Sequence, residues 1–360
     1  MLKSISLEKV HESLGAKMTP FAGFNMPLKY SSDIEEHTCV RNGVGVFDVS
    51  HMGEFLIEGT DALALIQKII SNDASKLTDG QALYSCLMNG KGGIVDDLLV
   101  YRFNDKKYML VVNAANIEKD KNWILKWNDF NEVKFTDISE QTSLLAVQGP
   151  KAEKVLQKLT KEDISSIPFY HFRQMELSGI TDIIVSATGY TGAGGFEVYI
   201  PNEYVESIWN QIFEAGREEG IKPIGLGARD TLRLEKGYCL YGNDINDETS
   251  PLEAGLGWVV KLNKGDFLSS KLLKKQKEEG ISKKLVALKV VEKGIPRKGY
   301  EIHFEGKKVG TVSSGSFSPT LKTGIGLGYV PKELASVGTY LELINKNRKI
   351  EVEVVKLPFV

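Results

Sequence analysis

The 360-residue sequence has few of the features that would assign it to a functional class at once. Its three cysteines, Cys39, Cys86 and Cys239, are far apart and form no Cys-x-x-Cys pair. This argues against a disulfide framework or a cysteine zinc site and favours a reducing compartment. The 45 Lys and Arg nearly balance the 47 Asp and Glu, so a net charge of −2 gives no overall attraction for nucleic acid or an acidic membrane. No apolar run approaches the roughly 18 residues of a membrane span.

Common catalytic motifs are missing as well. There is no phosphate-binding P-loop, no Gly-x-Ser-x-Gly nucleophile turn and no His-Glu-x-x-His zinc motif. Because the histidines show no ligand-like pairing, no catalytic metal is expected; they are His11, His37, His51, His171 and His303. The glycine-rich run 324–328 has no helix after it, which favours a glycine-rich strand over a dinucleotide-binding loop.

The length of the chain suggests two or three domains, since a domain commonly has about 100–200 residues. The residues from Met1 to Glu8 resemble neither a secretory signal nor a transit peptide, so we expect a protein of the bacterial cytoplasm. No coiled-coil pattern or long exposed apolar stripe indicates an oligomer, and we expect a monomer.

Helix and strand patterns are interspersed along the chain. Apolar residues at helical spacing predict helices over 205–212, 152–159 and 63–70. An apolar run at 108–112 and an alternating pattern at 350–354 predict strands. The charged stretch 271–284 precedes at least four strand-like runs separated by glycine-containing turns. We therefore expect an α+β protein with antiparallel sheets that ends, from about residue 283, in a small β-barrel or sandwich.

Two adjacent carboxylates, Asp96 and Asp97, lie in an otherwise apolar strand pattern after a glycine turn. Successive side chains of a strand face opposite sides, so Asp97 shares a face with Leu99 and Tyr101. Burying an unpaired carboxylate costs several kcal/mol, so at least one must meet a donor, a ligand or solvent. A turn-capping or salt-bridged aspartate is the alternative interpretation.

A loop with four glycines at 189–195 is followed by a strand with Phe196 and Glu197. A carboxylate there has the acceptor geometry for two parallel hydrogen bonds from a ring edge with neighbouring N–H donors. The alternative is a flexible hairpin with a solvated strand glutamate. Further on, Arg229 and Arg233 have helical spacing and suit an anionic ligand, with an exposed salt-bridge stripe to Asp230 and Glu235 as the alternative.

Nine short segments, in order from about residue 9 to Pro358, together resemble the T-protein family of the glycine cleavage system, which are aminomethyltransferases. They are Phe21-Ala22-Gly23-Phe24, Phe47 to Glu54, Gly92 to Leu98, Val112-Asn113-Ala114, Val147-Gln148-Gly149-Pro150, Gly189-Tyr190-Thr191-Gly192, Gly227-Ala228-Arg229-Asp230, Leu240-Tyr241-Gly242 and Ser314 to Leu321. One such segment would be weak support, but this many in register is highly specific.

The resemblance implies a three-domain cloverleaf of α+β class, with antiparallel sheets around a central channel for folate and a small C-terminal β-barrel. The implied division is 1–50 with 138–245 for the folate-binding domain, 51–137 with 246–280 for the second domain, and 283–360 for the barrel. The implied partner is the H-protein, whose lipoyl group carries an aminomethyl group. The products are ammonia, 5,10-methylenetetrahydrofolate and the dihydrolipoyl arm, with tetrahydrofolate as co-substrate and no metal.

The resemblance also implies roles for individual residues. Asp97 matches the family's catalytic aspartate and would stabilise developing positive charge, and Asp96 would raise the apparent pKa of the pair. Glu197 matches the carboxylate that binds the pterin ring, and Arg229 matches another folate-site residue. Further positions matching the channel lining are Met52, Tyr84, Val111, Asn113, Tyr190, Trp258 and Tyr238, with Arg233 and Arg297 as additional candidates. For Tyr84, Val111 and Trp258, ordinary core packing is the alternative.

The chain departs from the family pattern in the glycine loop, where Ala193 and Gly194 stand in place of the usual Glu-Asp pair. This change is expected to loosen the loop or to alter the approach of a partner. The chain also stops at Val360, so any folate contact that some relatives make from a longer tail is expected to be missing.

Three other functions were weighed. Relatives that bind folate in iron–sulfur enzyme maintenance carry a Lys-Gly-Cys-Tyr-x-Gly-Gln-Glu signature, which 236–244 matches only in half. Relatives fused to a flavin amine dehydrogenase would need a dinucleotide fingerprint, which this sequence lacks. A degenerate scaffold would be expected to lose Asp97 or Glu197, and the chain has both. The sequence therefore favours an active aminomethyltransferase.

Overall fold

Residues 2–346 and 348–360 are described by a computed structural model of the chain. The helices are α1 (Glu8–Ser13), α2 (Asp33–Asn42), α3 (Ala62–Ile69), α4 (Ile117–Trp127), α5 (Ala152–Gln157), α6 (Val205–Gly216), α7 (Leu226–Glu235) and α8 (Ser270–Glu279). The strands are β1 (Lys17–Phe21), β2 (Phe24–Lys29), β3 (Gly45–Asp48), β4 (Gly53–Glu58), β5 (Gln81–Met88), β6 (Ile94–Asn104), β7 (Lys107–Val112), β8 (Lys134–Asp137), β9 (Thr142–Gln148), β10 (Phe172–Leu177), β11 (Ile180–Ser186), β12 (Gly195–Pro201), β13 (Lys222–Ile224), β14 (Lys283–Val290), β15 (Glu301–Phe304), β16 (Lys307–Ser318), β17 (Thr323–Pro331), β18 (Tyr340–Asn345) and β19 (Arg348–Val355).

The chain divides into two units. Unit 1 consists of Met1–Ile66, Ala74–Tyr84 and Leu98–Asp230, and unit 2 consists of Gln67–Asp73, Ser85–Asp97 and Thr231–Val360. Each unit therefore draws on separate stretches of sequence. Among the described residues, no helix is long and apolar enough to cross a membrane.

Unit 1 contains a six-stranded sheet with the order β10-β11-β12-β9-β3-β13. Neighbouring strands run antiparallel, except that β13 runs parallel to β3. The apolar stripe of α6, formed by Val205, Ile208, Trp209 and Ile212, is fully buried in the core that covers this sheet. The burial of one helix face is what the spacing of these residues predicts.

A second sheet has the order β5-β6-β7-β4-β8. On β7, Val111 pairs with Leu99 of β6 on one side and with Glu54 of β4 on the other. Residues directly opposite each other in an antiparallel sheet share a face. Leu99, Val111 and Glu54 therefore point to the same side of this sheet.

The C-terminal part of unit 2 is a closed barrel with the order β14-β17-β16-β15-β18-β19. The ring closes because β19 pairs back with β14, from Ala287 opposite Val355 to Val290 opposite Val352. Its interior is filled by buried aliphatic side chains, among them Leu288, Val312 and Leu343. The first strand of this barrel, β14, begins at Lys283, and of the two expected architectures, barrel and sandwich, the structure shows the barrel.

The segment Gln67–Asp73 of unit 2 is held by one side chain. The ammonium group of Lys264 donates hydrogen bonds to the backbone carbonyls of Gln67, Ile70 and Asn72 at 2.7–2.8 Å. The same group lies 4.7 Å from the centre of the Phe267 ring. A charge that is removed from water needs such compensation by acceptors and by a ring face.

The other predicted elements also appear. The three predicted helices correspond to α6, α5 and α3, and the predicted strands lie in β7 and β19. The glycine-rich run 324–328 lies within β17, as a glycine-rich strand. The charged stretch 271–284 is not a plain linker, because most of it forms α8, whose Leu273 is buried.

Candidate folate and catalytic site

Glu197 lies on β12, immediately after the glycine loop, and is only 8% exposed. Its Oε2 accepts a hydrogen bond of 2.5 Å from the hydroxyl of Thr188. Burial raises the pKa of the Glu197 carboxyl, whereas the Thr188 hydrogen bond and the charge of Arg229 oppose that rise. The alternative of a solvated strand glutamate is therefore wrong, and the side chain is a fixed acceptor inside unit 1.

A group of buried hydroxyls supports this carboxylate. The Tyr101 hydroxyl lies 3.1 Å from that of Thr188 and 2.9 Å from that of Tyr199. The Ser186 hydroxyl lies 2.9 Å from the Thr188 hydroxyl oxygen, which can accept its hydrogen bond while donating to Glu197. Buried polar groups that satisfy one another in this way hold a single arrangement. Thr188, Tyr101 and Tyr199 thus fix where the Glu197 carboxylate stands.

The glycine loop is held at both ends by Gln148 of β9. The Gln148 amide nitrogen donates to the carbonyls of Thr188 and Phe196, at 3.1 and 3.3 Å, and its oxygen accepts from the Thr191 hydroxyl at 2.7 Å. Gly195 has φ +123°, and a Cβ there would lie 2.3 Å from the carbonyl oxygen of Val147, so only glycine fits. These bonds tie the two ends of the loop to β9.

Arg229 and Tyr190 stack against each other in unit 1. The guanidinium carbon lies 4.8 Å from the centre of the Tyr190 ring, within the range of a cation–π contact. Arg229 also affects the buried ring of His51, because burial and the Arg229 charge together lower the pKa of His51 to about 3. His51 is therefore a neutral ring at neutral pH, packed edge to face on Phe21 at 5.4 Å.

Four further predicted site residues lie in unit 1. Met52, Tyr84 and Asn113 are partly exposed, and Val111 is buried on β7. Partial exposure of a methionine and a tyrosine leaves them able to contact a ligand. For Val111, with 4% exposure, the core-packing alternative stays open.

Asp97 lies on β6 in unit 2, after a rigid turn. The Asn89 side-chain oxygen accepts hydrogen bonds from the backbone N–H groups of Lys91 and Gly93, and its amide donates to the carbonyl of Asp247. A Cβ on Gly93 would lie 1.8 Å from that same carbonyl oxygen, so the chain approach requires glycine. The turn therefore fixes the start of β6, the strand that carries Asp96 and Asp97.

The two aspartates differ in exposure, as strand alternation predicts. Asp96 is fully buried and Asp97 is partly exposed. Asp97 lies near two buried thiols: burial raises the pKa of both Cys86 and Cys239, and the Asp97 charge adds to the rise. Of the pair, Asp97 is the carboxylate with access to solvent or a ligand.

Arg233 on α7 forms a buried ion pair, with 1% exposure of its side chain against 0% for Asp244. Its Nη1 donates to the Asp244 carboxylate at 2.8 Å and to the Tyr238 carbonyl at 2.9 Å, and its Nη2 donates to the Ser314 hydroxyl at 2.9 Å. The alternative of an exposed stripe is therefore wrong for Arg233. The ion pair fixes the backbone at Tyr238, whose side chain is exposed.

Trp258 lies in a short 3₁₀ helix, Gly257–Val259, and is 59% exposed. Such exposure contradicts the core-packing alternative for this residue, because a packed core tryptophan is mostly buried. Arg297 donates to the carbonyl of Gly315 at 3.5 Å, a long contact at the surface. Among the described residues, no group of three or more His, Cys, Asp or Glu could hold a metal ion.

Sequence reasoning did not assign roles to Gln148, Thr188 or Glu54. Gln148 and Glu54 fall in segments that carried the resemblance, and Thr188 immediately precedes the glycine loop. Their polarity within apolar strand patterns was the available signal, since a buried polar residue generally has a structural or functional partner.

Two family models match the chain. The GCVT N-terminal domain matches residues 7–264, and the glycine cleavage T-protein C-terminal barrel domain matches residues 283–360. The chain belongs to the glycine cleavage T-protein family. Among curated relatives of this family, the aminomethyltransferase of Flavobacterium psychrophilum is 58% identical and that of Phocaeicola vulgatus 54%, each over 99% of both chains.

The T-protein fold is confirmed by a solved structure. The crystal structure of the glycine cleavage system aminomethyltransferase T from Bartonella henselae is 34% identical, covers 100% of this chain and 98% of its own, and has a TM-score of 0.94. The family resemblance and the α+β fold with a C-terminal barrel are thus confirmed over the full length.

Proposed function

We propose that this T-protein family member is an active, cytoplasmic aminomethyltransferase of the glycine cleavage system. Its substrates are the aminomethyl group on the dihydrolipoyl arm of the H-protein and tetrahydrofolate. The carbon–sulfur and carbon–nitrogen bonds of the aminomethyl group break, and its methylene becomes bonded to two folate nitrogens. The products are 5,10-methylenetetrahydrofolate, ammonia and the dithiol arm. The buried, fixed carboxylate of Glu197 is the observation that carries the proposal, together with full-length relatives of that name.

Glu197 fits a pterin ring by the chemistry of its acceptors. A carboxylate offers about four lone-pair sites, and the Thr188 hydroxyl takes one of them on Oε2. The remaining sites suit a ring edge with adjacent N–H donors, such as the amide and amino groups of a pterin. Because Thr188 already holds the Glu197 carboxylate in place, binding of the ring loses little side-chain entropy at this residue.

Arg229 and Tyr190 are proposed to flank the folate. Their stacked contact combines a fixed positive charge with an aromatic face, which suits a flat ring linked to a carboxylate tail. Met52, Tyr84, Val111 and Asn113 are proposed as further folate contacts, and Tyr238 and Trp258 are proposed in the same role.

Asp97 is proposed as the catalytic residue. Tetrahydrofolate supplies the two nitrogen nucleophiles of the reaction. The Asp97 carboxylate would stabilise the positive charge that develops as ammonia leaves, which is strongest where water is excluded. The rigid turn at Asn89 and Gly93 holds the strand that carries it. Asp96, buried beside it, is proposed to raise the apparent pKa of the pair.

The wider setting follows from the same proposal. The protein would act as a monomer that meets the lipoylated H-protein, with no metal, nucleic acid or membrane involved. The three-domain division into 1–50 with 138–245, 51–137 with 246–280, and 283–360 is part of the proposal. Unit 1 contains Glu197 and Arg229, and unit 2 contains Asp97.

The deciding experiment mixes the purified protein with aminomethyl-loaded H-protein and tetrahydrofolate, and follows ammonia and methylenetetrahydrofolate. We expect folate-dependent ammonia release that falls at least about a hundredfold in Asp97→Asn, the scale of a lost electrostatic group. Asp105→Asn, the same change at the exposed β6–β7 turn, serves as the control and should keep wild-type activity.

Other outcomes point elsewhere. Folate binding without ammonia release would favour a non-enzymatic folate-binding role. Absence of tetrahydrofolate binding would contradict the proposed site. A pH–rate profile that does not change in Asp96→Asn would remove the proposed role of Asp96.

A further inference from the structure

Glu54 is a buried carboxyl with no described hydrogen-bond partner for its side chain. Its relative exposure is 0%, and neither Oε1 nor Oε2 bonds to any described residue. Its backbone N–H and carbonyl are satisfied by Ser139 and Ile138, so the strand itself is normal at this point. A carboxyl without partners in the interior calls for an explanation, because most buried polar groups are hydrogen-bonded.

Glu54 lies next to a residue of the proposed folate channel. It pairs with Val111 on β7 and shares that face of the sheet with Leu99. The charge of Glu197 acts on Glu54, and Glu54 in turn acts on Tyr199. Tyr199 belongs to the hydroxyl group behind Glu197. Glu54 is therefore coupled electrostatically to Glu197 and is out of contact with solvent.

The charged side chains that act on Glu54 are acidic. They are Asp137 at the end of β8 and Glu197 on β12. Asp137 is itself paired with Lys121 at 3.2 Å and accepts from Ser139. The positive charge of Arg229 acts on Glu197 rather than on Glu54. Of two close carboxyls in a dry site, only one is readily ionised.

We propose that Glu54 is a positioning residue of the pterin pocket, a carboxyl that stays neutral so that Glu197 carries the single negative charge of the pair. This proposal rests on the folate site proposed above. The two carboxyls differ in protonation because their surroundings differ. The Thr188 hydroxyl and the Arg229 charge favour the ionised form of Glu197, whereas burial and the charges of Asp137 and Glu197 favour the neutral form of Glu54. Burial and those neighbours raise the pKa of Glu54 well above its usual value.

The consequence is an alkaline limit on folate binding. Ionisation of Glu54 adds a second negative charge that repels the Glu197 carboxylate. It therefore disfavours the ionised form of Glu197, which accepts the pterin N–H groups. Tetrahydrofolate affinity should therefore rise with pH as Glu197 loses its proton and fall again as Glu54 loses its own. The two midpoints belong to the coupled pair.

The test measures the dissociation constant of tetrahydrofolate by anaerobic fluorescence titration from about pH 6 to about pH 9, which spans the range between ordinary carboxyl and phenol titrations. The wild type should lose about tenfold in affinity at the alkaline end, the equivalent of one pKa unit of coupling. Glu54→Gln, which mimics the neutral acid, should show no alkaline loss relative to its own affinity at neutral pH. Glu58→Gln on the same strand, at a partly exposed position, should follow the wild type.

A second variant keeps the test independent of the folding of Glu54→Gln. Asp137→Asn keeps an acceptor for Ser139 but removes the charge that favours the neutral form of Glu54. The alkaline loss should then move to lower pH. A side chain with a merely structural role would not move this profile.

Several results would overturn the inference while the proposed function stands. The first is a wild-type affinity for tetrahydrofolate that does not fall at alkaline pH, and the second is an alkaline loss of affinity that persists in Glu54→Gln. The third is a loss of affinity in Glu54→Gln at neutral pH that is as large as the loss in Glu197→Gln. If Glu197→Gln binds tetrahydrofolate normally, or if the wild type does not bind it, the folate site itself is wrong.

Discussion

The ion pair of Arg233 and Asp244 gives the sharpest prediction for stability. Both side chains are fully buried, so a variant that removes one leaves the other charged in the interior. Such a change typically costs about 3–5 kcal/mol. In Arg233→Met, the Asp244 carboxylate keeps donors from the Leu240 N–H at 2.9 Å and from the hydroxyls of Ser313 and Ser314 at 2.5 and 2.9 Å. The cost should therefore be near the lower limit, about 3 kcal/mol.

In Asp244→Asn, the guanidinium loses the anionic partner Asp244 and keeps neutral acceptors such as the Tyr238 carbonyl and the Ser314 hydroxyl. The cost should be nearer to about 5 kcal/mol, a third or more of the 5–15 kcal/mol that usually stabilises a domain. The double variant should be less destabilised than the sum of the two, by about 2 kcal/mol, because part of each single cost is the charge left behind.

Urea unfolding followed by tryptophan fluorescence and circular dichroism measures these values, with the midpoint expected to fall at an unchanged slope. Arg217→Met is the matched control, since Arg217 pairs with Glu214 at the surface with 75% and 66% exposure. It should cost less than about 0.5 kcal/mol. Single costs below about 1 kcal/mol, or strict additivity in the double variant, would refute the reasoning.

Three further predictions concern the site. Gln148→Ala should free both ends of the glycine loop and raise the KM for tetrahydrofolate by about tenfold with a smaller change in kcat, whereas equal losses in both would contradict a binding role. Because the pKa of His51 is lowered to about 3, the protein should lose stability as pH falls below 6.5, by up to about 1.4 kcal/mol per pH unit, and His51→Gln should remove part of that slope in thermal melts. Because the pKa of Glu54 is raised, its native state holds a proton that the unfolded chain releases above about pH 4.5, so Glu54→Gln should gain stability over the wild type as pH rises. A constant difference between these two proteins from pH 5 to about pH 8 would contradict the neutral state of Glu54.

The helices and strands with clear periodicity were predictable because local spacing decides which face is buried. The stripe of α6 and the alternation in β19 need no distant contact to be recognised. Arg233 shows the opposite case. The helical spacing of Arg229 and Arg233 is visible in the sequence, but the burial of Arg233 depends on Asp244, outside the helix, and on Ser314, 81 residues away. Long-range pairing of this kind leaves no local pattern.

The candidate site divides in the same way. A glycine loop before a strand glutamate was enough to single out Glu197, since glycine and a carboxylate at that spacing suggest a ligand. The supports of that carboxylate, Gln148 and Tyr101, lie on other strands, and nothing in the sequence pairs them with Glu197. Glu54 was the least predictable, because a glutamate in a strand pattern looks solvent-facing until burial is known.

The closed barrel depends on its last strand, β19, to leave no sheet edge exposed. In a ring of six strands, every strand has two neighbours, so none offers the unpaired backbone that seeds sheet-to-sheet association. Loss of β19 by proteolysis would strip partners from β14 and β18 together, and would present two open edges where the intact ring has none. A nick ahead of Arg348 is therefore expected to turn a protected fold into one prone to self-association.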